Sequence, residues 1–161
     1  MFKVESYDGD REKNYDLLKK QLISLLEGEP NPIANLSNAS ALLNQFLDRI
    51  NWVGFYLVDK DKDELVLGPF QGLPACVRIP LGKGVCGTSA LQKKTIRVED
   101  VHQFPGHIAC DAASQSEIVI PIIKNGQLIG VLDIDSPEKN RFDELDERKL
   151  KEFVEALSLR L

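Results

Sequence analysis

Glu117-Ile118-Val119-Ile120-Pro121-Ile122-Ile123-Lys124-Asn125-Gly126-Gln127-Leu128-Ile129-Gly130-Val131-Leu132-Asp133-Ile134-Asp135 is the stretch on which the fold turns. Two apolar runs, 117–123 and 128–135, flank Lys124-Asn125-Gly126-Gln127, and Asn-Gly between such runs signals an antiparallel hairpin. In the second run the side chains alternate, with Val131, Asp133 and Asp135 on one face and Leu132 and Ile134 on the other. Two carboxylates two residues apart on a half-buried strand repel each other and lose solvation. They persist there if they bind a cation, or if one carboxyl keeps its proton and can donate it. The plainer alternative puts both at the strand end, facing water or capping the turn at Ser136-Pro137. Glu117, opening the partner strand, adds a third carboxylate on the same side.

Working outward, strand-like runs recur at 51–58 and 64–70, joined by the polar turn Asp59-Lys60-Asp61-Lys62-Asp63. Short strands are predicted at 76–79 and 95–98, with a small helix between them after Gly87. Both ends of the chain are helical. Tyr15, Leu18, Leu22, Leu25 and Leu26 recur at helical spacing over 11–27, and Ile33, Leu36, Leu43 and Leu47 over 33–48, with Pro30 and Pro32 between. A final amphipathic helix runs from Asp143 with Leu145, Leu150, Phe153, Val154, Leu157 and Leu161 inward. Hairpin-linked strands bounded by helices read as α+β, an antiparallel sheet with helices packed on it. A single domain over 1–161 is expected: helical at 11–48, sheet and active-site loops at 51–135, and the last helix at 143–161.

Composition excludes several classes. The 161 residues suffice for one core, and 43% hydrophobic with 28% charged residues is ordinary for a globular chain. A net charge of −5 argues against a nucleic-acid footprint. The polar start is unlike a signal peptide, and no apolar run suffices to cross a bilayer. With three cysteines and no secretion signal, a reducing cytoplasmic setting is expected.

Those cysteines are the chemical feature. Cys76 lies in Leu73-Pro74-Ala75-Cys76, Cys86 in Gly84-Val85-Cys86-Gly87 and Cys110 in Ile108-Ala109-Cys110-Asp111. Turns, a helix start and a long polar loop are where reactive thiols are found, so thiol chemistry is expected. Cys86 at a helix start would gain from the N–H groups and dipole that favour a thiolate, or would simply be a small residue under a tight turn. Cys110 falls in the long connection 99–116, where His107 and Asp111 could tune its pKa. No metal site is expected, because the cysteines form no C-x-x-C pair and the histidines no H-x-x-x-H pair. Gly82-Lys83-Gly84-Val85-Cys86-Gly87-Thr88-Ser89 fails the phosphate-loop pattern, since its lysine does not precede the Ser/Thr directly. On the first strand Trp52, Gly54 and Tyr56 share one face, with Val53, Phe55 and Leu57 opposite. Two aromatics about a glycine make an apolar slot with an empty middle, or else core filling.

Asn51-Trp52-Val53-Gly54-Phe55-Tyr56, Gly68-Pro69-Phe70-Gln71-Gly72, Gly84-Val85-Cys86-Gly87 and Ile108-Ala109-Cys110-Asp111 resemble the GAF-type free methionine-(R)-sulfoxide reductases. So do Ser116-Glu117-Ile118-Val119-Ile120-Pro121 and Gly130-Val131-Leu132-Asp133-Ile134-Asp135-Ser136. The likeness covers nearly the whole chain, and the three-cysteine set is specific within the GAF superfamily. It implies a six-stranded antiparallel sheet with flanking helices, a homodimer, no bound cofactor, and recycling by thioredoxin with its NADPH-dependent reductase. It also implies that the substrate is the free amino acid. Cys110 is then the catalytic thiol. Cys76 is assigned to resolve the sulfenic acid, and Cys86 is a spare or alternative partner. Glu117, Asp133 and Asp135 would grip the ammonium group, and Trp52 and Tyr56 the S-methyl group. Two rivals are a small-ligand sensing module and a peroxide-reactive thiol protein. The first would need an output domain, which a one-domain chain lacks, and the second would not need the acidic strand.

Overall fold

In the computed structural model residues 2–161 are described; Met1, the first residue of the expected domain, lies outside them. Six strands follow in chain order: β1 (Trp52–Asp59), β2 (Glu64–Gly72), β3 (Arg78–Pro80), β4 (Ile96–Val98), β5 (Ser116–Lys124) and β6 (Gln127–Ser136). They form one antiparallel sheet in the order β3-β2-β1-β6-β5-β4. The hairpin of β5 and β6 closes through Asn125 and Gly126, whose φ values of 53° and 75° are those a mirror-image turn requires. The α+β expectation holds.

Four helices cover the sheet: α1 (Arg11–Leu25), α2 (Pro32–Phe46), α3 (Gly84–Gln92) and α4 (Glu144–Ser158). Each terminal helix starts at a side-chain cap. Asp10 accepts from the Lys13 N–H, Asn31 from Ile33 and Ala34 with Pro32 just inside, and Asp143 builds a capping box with Asp146. The apolar stripes of α2 and α4 bury against the sheet face that carries Val53, Phe55, Ile118, Ile120, Leu132 and Ile134, and α1 packs on α4 and α2 to complete the same core. The opposite face carries Trp52, Tyr56, Val119 and Val131 and packs under α3. The alternation read from the sequence therefore sorts the two faces correctly.

Several local expectations are corrected. The strand predicted at 76–79 begins only at Arg78, so Cys76 lies in the loop after β2 and not in the ladder. The small helix begins at Gly84, ahead of Gly87, and so includes Cys86. Helix α2 stops at Phe46 because Leu47 turns to extended backbone, and Ile33 at its start faces solvent, not the core. No described helix is long and apolar enough to cross a membrane.

Candidate active site

Two loops meet over the α3 side of the sheet. Cys76, after β2, and Cys110, in the connection between β4 and β5, are joined by a disulfide with their Cα atoms 5.5 Å apart, across 34 residues of chain. Cys86, on the first turn of α3, is the remaining free thiol and is buried.

The loops are fastened by residues at the start of β1. The Tyr56 hydroxyl donates to the Cys76 carbonyl at 2.8 Å, and the Trp52 indole N–H to the Leu73 carbonyl at 3.1 Å. Asn51, just before the strand, donates from Nδ2 to Asp111 Oδ2 at 2.9 Å and to Ser114 Oγ at 3.1 Å. Trp52 and Tyr56 thus orient one cysteine loop, and Asn51 the other. Asn51, Ser114 and Ile108, which also lines the cavity, escaped the sequence reading. Only the adjacency of Asn51 to the aromatic strand and of Asp111 to Cys110 pointed toward that clamp.

Below the disulfide lies a cavity of about 40 Å³, floored by carboxyl groups. Sheet register assembles them: Glu117 stands opposite Asp135 on β5 and β6, and Asp133 stands opposite Gly54 on β1. Glu117 and Asp133 are buried and Asp135 is half-buried. Burial raises the pKa of Glu117 well above the ordinary range, and the charges of Asp133 and Asp135 raise it further. Burial likewise pushes Asp135 well up, with Asp133 adding to it. Asp133 is raised by burial too, partly offset by hydrogen bonds from Glu117 and Cys86. Its Oδ1 is buried without a hydrogen-bond partner. Three acids that resist ionising together can hold one proton ready for transfer and still present negative charge to a cation.

Three sequence expectations change here. The slot at Gly54 is filled: Phe70 of β2 crosses it, and a Cβ added at Gly54 would lie 2.2 Å from the Phe70 Cβ. Trp52 stacks on Phe70 with ring centroids 5.2 Å apart, and on Tyr56 at 5.9 Å. The aromatics therefore form a continuous wall in place of two rings about a gap. Cys86 does open a helix, yet its thiol is not favoured as a thiolate. Burial pushes its pKa well up, and the neighbouring Asp133, Glu117 and Asp135 charges push it further. Its Sγ faces Glu117 Oε2 at 3.9 Å. His107 lines the cavity, but burial and the nearby His102 lower its pKa, so it offers Cys110 a neutral ring and not a cation near neutral pH.

Cys86, Glu117 and Asp133 also present ligand atoms within 4.8 Å of one another. Cys86 stands on a helix and the two acids on strands, so no metal-site spacing along the chain joins the thiol to the carboxylates.

A thiol-lined pocket on one face of an antiparallel sheet, with three helices on the other, defines the class: the chain belongs to the GAF-domain family, whose profile matches residues 38–161. Its relatives include protein YtsP of Bacillus subtilis, 62% identical over 157 residues, covering 98% of this chain and 96% of that protein. The free methionine-R-sulfoxide reductase of Escherichia coli is 54% identical over 143 residues, 89% of this chain and 86% of the enzyme. The X-ray structure of free methionine-R-sulfoxide reductase from Neisseria meningitidis in complex with its substrate matches with a TM-score of 0.95 at 44% identity, over 99% of this chain and 95% of that one.

Proposed function

We propose that this protein reduces free methionine-(R)-sulfoxide to methionine by thiol chemistry. The observation that carries the reading is the Cys76–Cys110 disulfide standing over a pocket floored by Glu117, Asp133 and Asp135. Cys110 attacks the sulfoxide sulfur while a protonated carboxyl of the floor delivers its proton to the departing oxygen. The oxygen leaves as water, and a water molecule then attacks the Cys110 sulfur of the resulting thiosulfonium, so that the S–S bond breaks, methionine departs as the thioether, a proton is released and Cys110 is left as a sulfenic acid. The Cys76 thiol then attacks the Cys110 sulfur, expelling water and forming the disulfide. An external dithiol returns both thiols, and thioredoxin with its NADPH-dependent reductase is the proposed donor. No bound cofactor takes part.

Substrate recognition follows from the same groups. Glu117, Asp133 and Asp135 face the ammonium group, a charge that a methionine inside a peptide lacks. Trp52 and Tyr56 supply the apolar wall for the S-methyl group. A cytoplasmic homodimer is the proposed state of the protein, and neither nucleic acid nor a membrane is a proposed partner.

The test is thioredoxin-coupled turnover of the separate R and S epimers of free methionine sulfoxide, beside a blocked methionine-sulfoxide peptide. Reduction of the free R epimer alone is expected, and its loss in Cys110→Ser. Comparable reduction of the peptide would overturn the reading in favour of protein repair.

A further inference from the structure

The proposed mechanism leaves one nucleophile unused. Cys86 is 5% exposed, has no sulfur partner, and sits among carboxyl groups. An ammonium group explains the acids, because carboxylate oxygens accept its hydrogen bonds well; it does not explain a thiol beside them, since sulfur is a weak acceptor. The three ligand atoms of Cys86, Glu117 and Asp133 lie within 4.8 Å of one another and line the cavity. Asp133, 5% exposed, adds an independent sign, because its Oδ1 is buried in that cavity wall with no hydrogen-bond partner. A mixed sulfur–oxygen set of three ligands with a fourth direction open to a cavity suits a borderline-soft divalent cation, whose bonds of about 2.0–2.3 Å need only a small contraction of such a group.

We infer that Cys86, Glu117 and Asp133 form a binding site for a thiophilic divalent cation of the zinc class, which occupies the floor of the pocket and excludes the substrate. The thiol proton passes to solvent as the metal–sulfur bond forms, with no change of oxidation state. The cation's charge replaces the protons that the buried acids otherwise retain, so the site is filled at the expense of the ammonium position. The exclusion of substrate rests on the ammonium reading above; the metal site itself does not.

The Cys76–Cys110 disulfide makes the test clean, because in the disulfide-bonded protein the only free thiol is Cys86. Cd²⁺ added to that protein is expected to give an ultraviolet thiolate-to-metal charge-transfer band at one ion per chain, which Zn²⁺ then displaces. Cys86→Ser should abolish the band and weaken Cd²⁺ binding by more than about tenfold, since soft cations select thiolate. Asp133→Asn should keep a band but require higher Cd²⁺ to reach it. Should Cys86→Ser fold poorly, protection of Cys86 in the unmodified protein by Zn²⁺ against a small alkylating reagent gives the same answer. No band, or alkylation unaffected by Zn²⁺, overturns the site. No turnover is involved in either readout, so the metal site and the reductase reading fail separately.

Discussion

Acetylating the substrate's amine tests the acidic floor most directly. N-acetyl-methionine-(R)-sulfoxide keeps the sulfur chemistry and loses the positive charge. Glu117 and Asp133 are the two buried acids of the floor, and Asp133 Oδ1 has no partner within the protein. Losing a charged hydrogen bond costs about 1.5–3 kcal/mol, so two such contacts amount to about 3–6 kcal/mol. At about 1.4 kcal/mol per decade, kcat/KM should fall by roughly 10²–10⁴. The assay is methionine release in a single turnover of fully reduced protein, which removes any contribution from recycling. Asp133→Asn should slow the free substrate and shrink the penalty for acetylation, because one of the two contacts is already gone. Free and acetylated substrates handled alike by the unmodified protein would refute the carboxylate role. A penalty unchanged in Asp133→Asn would move recognition to other groups.

Three further outcomes follow from the geometry. Cys76→Ser should release about one methionine per chain and then stall with thioredoxin, because the sulfenic acid finds no resolving thiol; sustained thioredoxin-driven turnover would remove Cys76 from that role. Gly54→Ala drives a Cβ to 2.2 Å from the Phe70 Cβ and 2.7 Å from its Cα. That is backbone as well as side chain, so a loss at the upper end of ~1–3 kcal/mol is expected in urea unfolding, and an unchanged midpoint contradicts the packing. Glu117 has a folded pKa above its unfolded value, so its contribution to stability is whole below the unfolded pKa and is lost as pH rises through the folded one. Glu117→Gln removes that loss, and its Tm relative to the parent should become more favourable as pH rises above the ordinary carboxylate range; a pH-independent difference would contradict the raised pKa.

The parts of this molecule that were legible in its sequence are those set by local periodicity. Asn125-Gly126 announced the central hairpin, and the alternation through Val131, Leu132, Asp133, Ile134 and Asp135 sorted both faces of β6. What stayed hidden depends on neighbours distant in the chain. Phe70 fills the space over Gly54 only because β2 crosses β1 there, at a point where their register shifts between Gly54 and Tyr56. Ile33 fits a helical stripe on paper, yet it occupies the first turn of α2 and stays exposed at the rim of the core. Cys86 read correctly as a helix start, but the acids that suppress its ionisation arrive from β5 and β6. Helix position alone therefore gave the wrong sign for its reactivity.

The fastening of both cysteine loops to the start of β1 has a mechanical consequence. Asn51 holds one loop, and Trp52 and Tyr56 hold the other, so both sulfurs are referenced to six consecutive residues, the first five of β1 and the one before it. Breathing of the sheet then carries the two loops as common-mode motion, which cancels in their separation. Only displacement of one loop against this shared datum alters the gap between the thiols. Sequence drift elsewhere in the sheet can accumulate without detuning the pair, whereas a one-residue slip in β1 would misalign both at once.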